Sequence, residues 1–273
     1  GKLGDGLVGL VEQQGGKMHY NSEVDRINVT NGRATGVTLK DGTVTDADIV
    51  VSNADAAWTY EKMLPDVKRK RWTTGKINRT RYSMGLFVWY FGTNRRFEDV
   101  PHHSMVLGTQ YKELLTDIFK RKRLSDDFSM YLHRPTATDP SMAPDGCDTF
   151  YALVPVPHLD ANVDWAVEGE KFRHKVEQRL EETVLPGLGD TVISSTFVTP
   201  KDFETRLNSF KGAGFGPEPV IWQSAWFRAH NRSEEVDGLY MVGASTPPGA
   251  GIPGVITSAR VVSEGIPHAR ELV

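Results

Sequence analysis

The chain has 273 residues, 39% hydrophobic and 25% charged, the proportions of an ordinary globular protein with a sizeable core. Its 32 basic and 35 acidic residues leave a formal charge of −3, which excludes a global pull toward nucleic acid, and no apolar run approaches the roughly 20 residues of a membrane-spanning helix. The single cysteine, Cys147, excludes an internal disulfide and a multi-cysteine metal site; it fits a reducing compartment and is otherwise incidental.

In chain order, residues 5–14 read as a short helix, with Asp5 as N-cap, Leu7, Val8 and Val11 behind it, and Gly15-Gly16 as the stop. A strand is expected over residues 18–29. Asn31-Gly32 is a hairpin signal, with a return strand over 34–39, and Asp41-Gly42 is a second turn before residues 43–45. Residues 48–53 form a short apolar strand suited to a buried sheet position. Residues 58–74 are charged and predicted helical. Residues 80–92, rich in aromatic and β-branched side chains, read as a long strand. A helix is expected over 111–124, and strands over 128–133, 149–155 and 192–198. Between the last two, Phe172, Val176, Leu180 and Val184 recur every four residues, the pattern of an amphipathic helix packed on a sheet, and Pro186-Gly187 ends it. A strand at 239–243 leads into a loop of glycines and prolines. A final helix starts near Pro253 with Val255, Ala259, Val262 and Ile266 on one face. The N-terminus lacks the apolar segment of a signal peptide and an initiator methionine, so the chain is expected to begin inside a larger protein.

The stretch Gly243 to Val255 carries the chemistry. It places a strand, a glycine-rich loop and a helix start in that order. Glycines let the backbone approach a flat or charged ligand, and a helix N-terminus offers unpaired N–H groups at the positive end of a dipole. This suits a phosphate or the pyrimidine edge of a flavin. A loop that needs unusual backbone angles for structural reasons has the same pattern, and the residues alone leave both open. His102-His103 has no carboxylate or cysteine at a ligand spacing and is read as a surface loop, so no metal is expected. Arg228, His230 and Asn231 either face a ligand or brace the loop; bracing is the reading for Arg228, and His230 stays open. Tyr82, Phe87, Trp89 and Phe91 split between two strand faces, so some are core and some are free to line a cavity.

From Leu207-Asn208-Ser209-Phe210-Lys211-Gly212, through Glu218-Pro219-Val220 and Gln223-Ser224-Ala225-Trp226-Phe227-Arg228-Ala229-His230-Asn231-Arg232, to Leu239-Tyr240-Met241-Val242-Gly243 and Gly249-Ala250-Gly251-Ile252-Pro253-Gly254-Val255, the chain resembles the C-terminal signature of the bacterial phytoene desaturase family. These are carotenoid desaturases of the FAD-dependent amine-oxidase-like superfamily. Looser resemblance reaches back to Gly4-Asp5-Gly6-Leu7-Val8 and Val50-Val51-Ser52-Asn53-Ala54-Asp55. The resemblance implies a mixed α/β (α+β) fold: the C-terminal part of a discontinuous, Rossmann-like FAD-binding domain plus an antiparallel-sheet substrate domain with helices. The implied segments are 1–57 and 236–273 for the FAD domain and 58–235 for the substrate and membrane-facing region. Val24 is implied to touch the adenine. Gly243, Ala244, Gly251, Ile252, Pro253, Gly254 and Val255 are implied to close on the ribityl chain and the isoalloxazine. No G-x-G-x-x-G follows a strand here, so the segment alone is not expected to hold FAD or to be active. Pro247 stands where these desaturases usually carry histidine, and Ala244 where wider relatives carry an acid.

The implied reaction is desaturation of an acyclic carotene, phytoene foremost, with no catalytic residue assigned. A non-catalytic partial protein with a lipid-binding or structural role, and a saturase or isomerase of the same fold, are the alternatives. An amine oxidase is disfavoured by the missing acid. At about 0.8 kcal/mol per buried CH2, tens of carbons taken from water would exceed any realistic affinity, so the substrate should arrive from a bilayer. Two basic runs, Lys68 to Arg71 before Trp72 and Lys120 to Arg123 before Leu124, suit an anionic leaflet at roughly 1 kcal/mol per charge, solvated helix faces being the other reading. The expected location is cytoplasmic, peripheral on the inner face of the cell membrane, with no nucleic-acid partner.

Overall fold

The computed structural model describes residues 1–268. It is a mixed helix-and-sheet fold with a five-stranded, a three-stranded and a two-stranded sheet.

Helix α1 (Lys2–Gln13) starts one turn earlier than expected: the N–H of Asp5 already bonds Gly1 O at 3.0 Å, so Asp5 lies inside the first turn and Gly1 is the cap. Strand β1 (Val24–Thr30) is shorter than predicted, because Asn21 takes φ 54° and breaks the extended run. The hairpin to β2 (Arg33–Leu39) forms where Asn31-Gly32 placed it, with φ 50° and 79°, the two positive values a type I′ turn demands. Strand β3 (Val44–Asp46) adds antiparallel to β2. Strand β4 (Val50–Ser52) instead pairs in parallel with the distant β10 (Leu239–Met241), which brings the C-terminal loop beside the early part of the chain.

Residues 58–74 are not the continuous helix expected. Helix α2 (Ala56–Trp58) runs into a π turn at Thr59–Met63, and α3 (Thr74–Arg79) starts anew under the Thr73 cap. Pro65 is the cause: it disfavours helical angles at the residue before it, and Leu64 takes φ −125°, ψ 56°. In place of a helical ladder, the N–H groups of Lys70, Arg71 and Trp72 donate to the Glu235 carboxylate at 2.8, 2.6 and 2.6 Å.

The five-stranded antiparallel sheet has the order β6 (His103–Val106), β7 (Met130–His133), β8 (Asp148–Val156), β5 (Gly85–Thr93), β9 (Val192–Val198). Alternation along β5 and β8 sends Phe87, Trp89, Phe91, Phe150, Ala152 and Val154 to one face, where α5 (Trp165–Thr183) buries Phe172, Val176 and Leu180 against them. Phe87 meets Phe172 edge-on with centroids 5.1 Å apart. The opposite face carries a row fixed by register, His103, His133, Tyr151 and Tyr90. Strand β6, not foreseen, is an edge strand of four residues in the segment read as a loop. Helix α4 (Tyr111–Thr116) continues as a π turn, Asp117–Arg121; α6 (Pro200–Leu207) opens with a Thr199/Asp202 capping box.

Helix α7 (Ile252–Gly265) buries Ser258 and Val262, while Ala259, expected inward, is exposed. The reason is polar: Ser258 Oγ accepts the Gly243 N–H at 2.9 Å and fixes the helix rotation. Two apolar cores result. One lies between the five-stranded sheet and α5; the other joins β1, β2, β4 and β10 with residues 56–82 and 210–236. Among the described residues, no helix is long and apolar enough to cross a membrane.

Candidate functional site

The loop after β10 folds back on the first turn of α7. Glycines 243, 249 and 251 have φ of 112°, 123° and 99°, a region that disfavours side chains. A Cβ on Gly254 would lie 2.6 Å from Gly249 O, whereas one on Gly251 would meet nothing within 4 Å. The loop is thus closed on its inner side and open at Gly251. The first helical bond of α7 is Val255 N–H to Gly251 O at 2.8 Å. Pro253 has no N–H, so Ile252 and Gly254 supply backbone donors with no acceptor inside the helix.

The signature residues hold this loop. Arg228 braces it as expected, donating to Ala244 O at 2.8 Å and Pro217 O at 3.2 Å. The Asn231 amide lies 3.1 Å from both Met241 O and Pro247 O. His230 turns to Trp226 O at 2.9 Å and to Glu234 at 3.1 Å. Ser245 Oγ accepts the Ala56 N–H at 2.8 Å, tying the loop to the chain after β4. A cavity of about 250 Å³ beside it is lined by Tyr82, Trp222, Arg228 and Ser245 among others.

Of the residues expected to contact a cofactor, Gly251, Ile252, Pro253, Gly254 and Val255 form this single turn. Gly243 and Ala244 sit at its root, their backbone groups engaged by Ser258 and Arg228. Val24 lies in the three-stranded sheet, paired with Leu39. An open glycine edge with two amides that lack an acceptor inside the helix fits the polar edge of a flavin, and these residues can hold one.

Asp55 caps α2, accepting from Ala57 N at 2.8 Å and Trp58 N at 3.2 Å, and desolvation pushes its pKa up to about 6. A carboxyl with a raised folded pKa contributes most below the unfolded value of about 4, and that contribution fades as pH rises through the folded value. Asparagine keeps the cap without the charge. Asp55→Asn is therefore expected to gain thermal stability relative to the parent between pH 4 and pH 7. A Tm difference that is flat over that range would contradict this.

Between α4 and strands β6, β7 and β8 of the five-stranded sheet lies a groove of about 460 Å³ whose lining includes Met84, Met105, Leu107, Leu114, Ile118 and Leu153; among the described residues that form it, none is charged. Met105 and Leu107 are exposed at 65% and 63%. Lys120, Arg121, Lys122 and Arg123 follow directly on the helix that forms one wall. Arg121 and Arg123 pair with Asp117 at 2.8 Å, Lys122 with Asp160 at 3.1 Å, and Lys120 is exposed. In the other basic run Arg69 pairs with Glu61 at 2.7 Å and Arg71 with Glu234 at 2.9 Å.

One group escaped sequence reasoning. Strand pairing sets His133 opposite His103, beside His102. The signal was a second histidine one strand away, which spacing along the chain does not reveal.

The family model of flavin containing amine oxidoreductases matches residues 4–266, and the chain belongs to that family. FAD, the cofactor expected from the sequence, is the flavin this membership supports. The chain is 51% identical over 273 residues to a neurosporene-forming phytoene desaturase of Rhodobacter capsulatus, covering 98% of this chain and 52% of that protein. It is 46% identical over 260 residues to a lycopene-forming phytoene desaturase of a Paracoccus species, covering 95% and 52%. The chain thus spans about half the length of the curated relatives it matches. An oxidoreductase from Methanosarcina mazei superposes with a TM-score of 0.64 at 20% identity over 95% of this chain and 53% of its own, a likeness of fold.

Proposed function

We propose that this chain is the substrate-holding and cofactor-closing part of an FAD-dependent carotene desaturase acting on phytoene. The observation that carries the reading is the uncharged groove between α4 and the five-stranded sheet, in a chain half identical to proteins named phytoene desaturase. A bound flavin supplies two-electron oxidation: hydride and proton leave a CH2–CH2 unit to give CH=CH. The chain's own residues do the rest. Met105, Leu107 and Leu153 offer carbon surface to a segment of hydrocarbon and exclude water from it. The Ile252 and Gly254 amides and the loop braced by Arg228 and Asn231 hold the polar edge of the cofactor without moving.

The protein docks peripherally, on the cytoplasmic side of an anionic bilayer, at the groove mouth. Exposed Met105, Leu107 and Tyr111 line the same groove as the helix that leads into the Lys120 to Arg123 run, and Lys120 is exposed, which supports docking through this run. Basic groups beside exposed apolar ones suit a headgroup interface.

The test is expression of the natural gene in a host that accumulates phytoene, with spectra of the extracted pigment. A coloured, longer polyene is expected. Unchanged phytoene beside folded, flavin-loaded protein would overturn the substrate. Sedimentation of the same protein with anionic vesicles, but not with zwitterionic ones, is expected for the docking reading; equal behaviour with both would remove it.

A further inference from the structure

We propose that His102, His103 and His133 form a three-imidazole site for a zinc-class divalent ion on the open face of the five-stranded sheet. One ring nitrogen from each of the three lies within 4.8 Å of the others. The β6–β7 register creates the cluster: His103 pairs with His133, and the Arg134 N–H bonds His102 O at 2.9 Å, which extends the pairing one residue beyond the strand.

In two of the three histidines the second ring nitrogen is arranged as a ligating histidine requires. His102 Nδ1 meets Thr138 Oγ1 and His103 Nδ1 meets the Tyr131 hydroxyl, each at 2.5 Å. Outer partners of this kind fix ring orientation and leave both Nε2 atoms directed elsewhere. His102 Nε2 and His133 Nε2 face each other at 2.7 Å. His133 Nδ1 is buried without a hydrogen-bond partner among the described residues. A purely structural hydrogen-bonded histidine pair explains the first of these contacts. It does not account for His103 completing the cluster.

Donor chemistry selects the ion. Three neutral nitrogens with no carboxylate disfavour magnesium and calcium, which take oxygen, and favour zinc, copper or nickel. Bonds of roughly 2.0–2.1 Å at tetrahedral angles place two ligating nitrogens about 3.3 Å apart, so the Nε2 pair at 2.7 Å has to open by about 0.6 Å and nitrogens as far apart as 4.8 Å to close by up to about 1.5 Å. Three protein ligands leave a fourth position for water or another small ligand. His103 is exposed, so an ion can enter from solvent. The ion would tie the edge strand β6 to β7.

The site does not enter the desaturation reading, and its test needs neither flavin nor carotene. The protein is purified without a polyhistidine tag, stripped with chelator and titrated with Co2+. Expected is visible ligand-field absorption that saturates at one ion per chain and is displaced by Zn2+. His103→Ala and His133→Ala should each weaken binding by at least about 10–100-fold, the loss seen even for outer partners. Circular dichroism monitors folding, and because His103 is exposed its variant decides the matter if His133→Ala misfolds. Absence of a cobalt spectrum together with no retained zinc overturns the proposal, as does unchanged affinity in folded His103→Ala.

Discussion

Replacing Asp148 by alanine is expected to destabilise the protein by about 3–5 kcal/mol, the cost of stripping one partner from a buried ion pair. Asp148 opens β8, is 1% exposed, and gathers four groups. Arg134 Nε donates at 2.8 Å, Thr136 Oγ1 at 2.6 Å and the Phe97 N–H at 2.8 Å, with Arg96 at 3.8 Å. Without the carboxylate, the Arg134 guanidinium stays 3% exposed with backbone carbonyls, Val100 O at 2.8 Å foremost. Carbonyls satisfy its hydrogens but do not neutralise its charge. At roughly 2–4 °C per kcal/mol for a chain of this size, Tm should fall by about 6–20 °C. Asp148→Asn should lose less, since it keeps an acceptor for Thr136 or Phe97. Urea unfolding of the two variants checks the order. A loss below about 1 kcal/mol for the alanine variant would place this pair with surface salt bridges and refute its structural role. The consequence is functional as well as thermodynamic, because β8 carries Tyr151, Leu153 and Pro155 to the open face and so forms part of the groove floor.

What the sequence made legible was local. Asn31-Gly32 needs only its own two residues to specify a turn, and the four-residue period from Phe172 to Leu180 needs only one helix. Both appear where expected, as do β9 and the loop before α7. What it hid depends on distant partners. Residues 58–74 are polar enough for a helix face; Pro65 within them is a local break that the helix reading passes over, but the Glu235 carboxylate that takes the amides of residues 70–72 lies far along the chain. Helix α7 follows its apolar period until the Gly243 amide claims Ser258 and turns Ala259 outward. Strand β6 has too few residues for alternation to register; its partner β7 defines it. The candidate site divides the same way. The glycine loop is contiguous and could be read. The groove draws its lining from Met84 just before β5, from β6, β7 and β8 and from α4, and the histidine cluster from two neighbouring chain segments, so neither has a linear signature.

In the natural gene product, Gly254→Ala should release the flavin while leaving the sheet intact. Helix propensity argues the other way: alanine in a helix is favoured over glycine by about 1 kcal/mol. Sterics decide against it. The new Cβ would sit 2.6 Å from Gly249 O, backbone against backbone, so neither side can swing away as a side chain could. Either the Gly249 peptide or the first turn of α7 has to shift, and strain of this kind costs about 1–3 kcal/mol. Both movements displace the Ile252 and Gly254 amides from the cofactor edge. If the strain is relieved on flavin loss, affinity should drop roughly five- to 150-fold. Gly265→Ala is the matched control, at the other end of the same helix, where a Cβ meets nothing within 4 Å. It should retain flavin and match or exceed the parent in Tm. Flavin absorbance per protein after desalting, followed by fluorescence titration, separates the two. Should Gly254→Ala fold and hold flavin as tightly as the parent, the turn from Gly251 to Val255 would be structural and the cofactor edge would lie elsewhere on the chain.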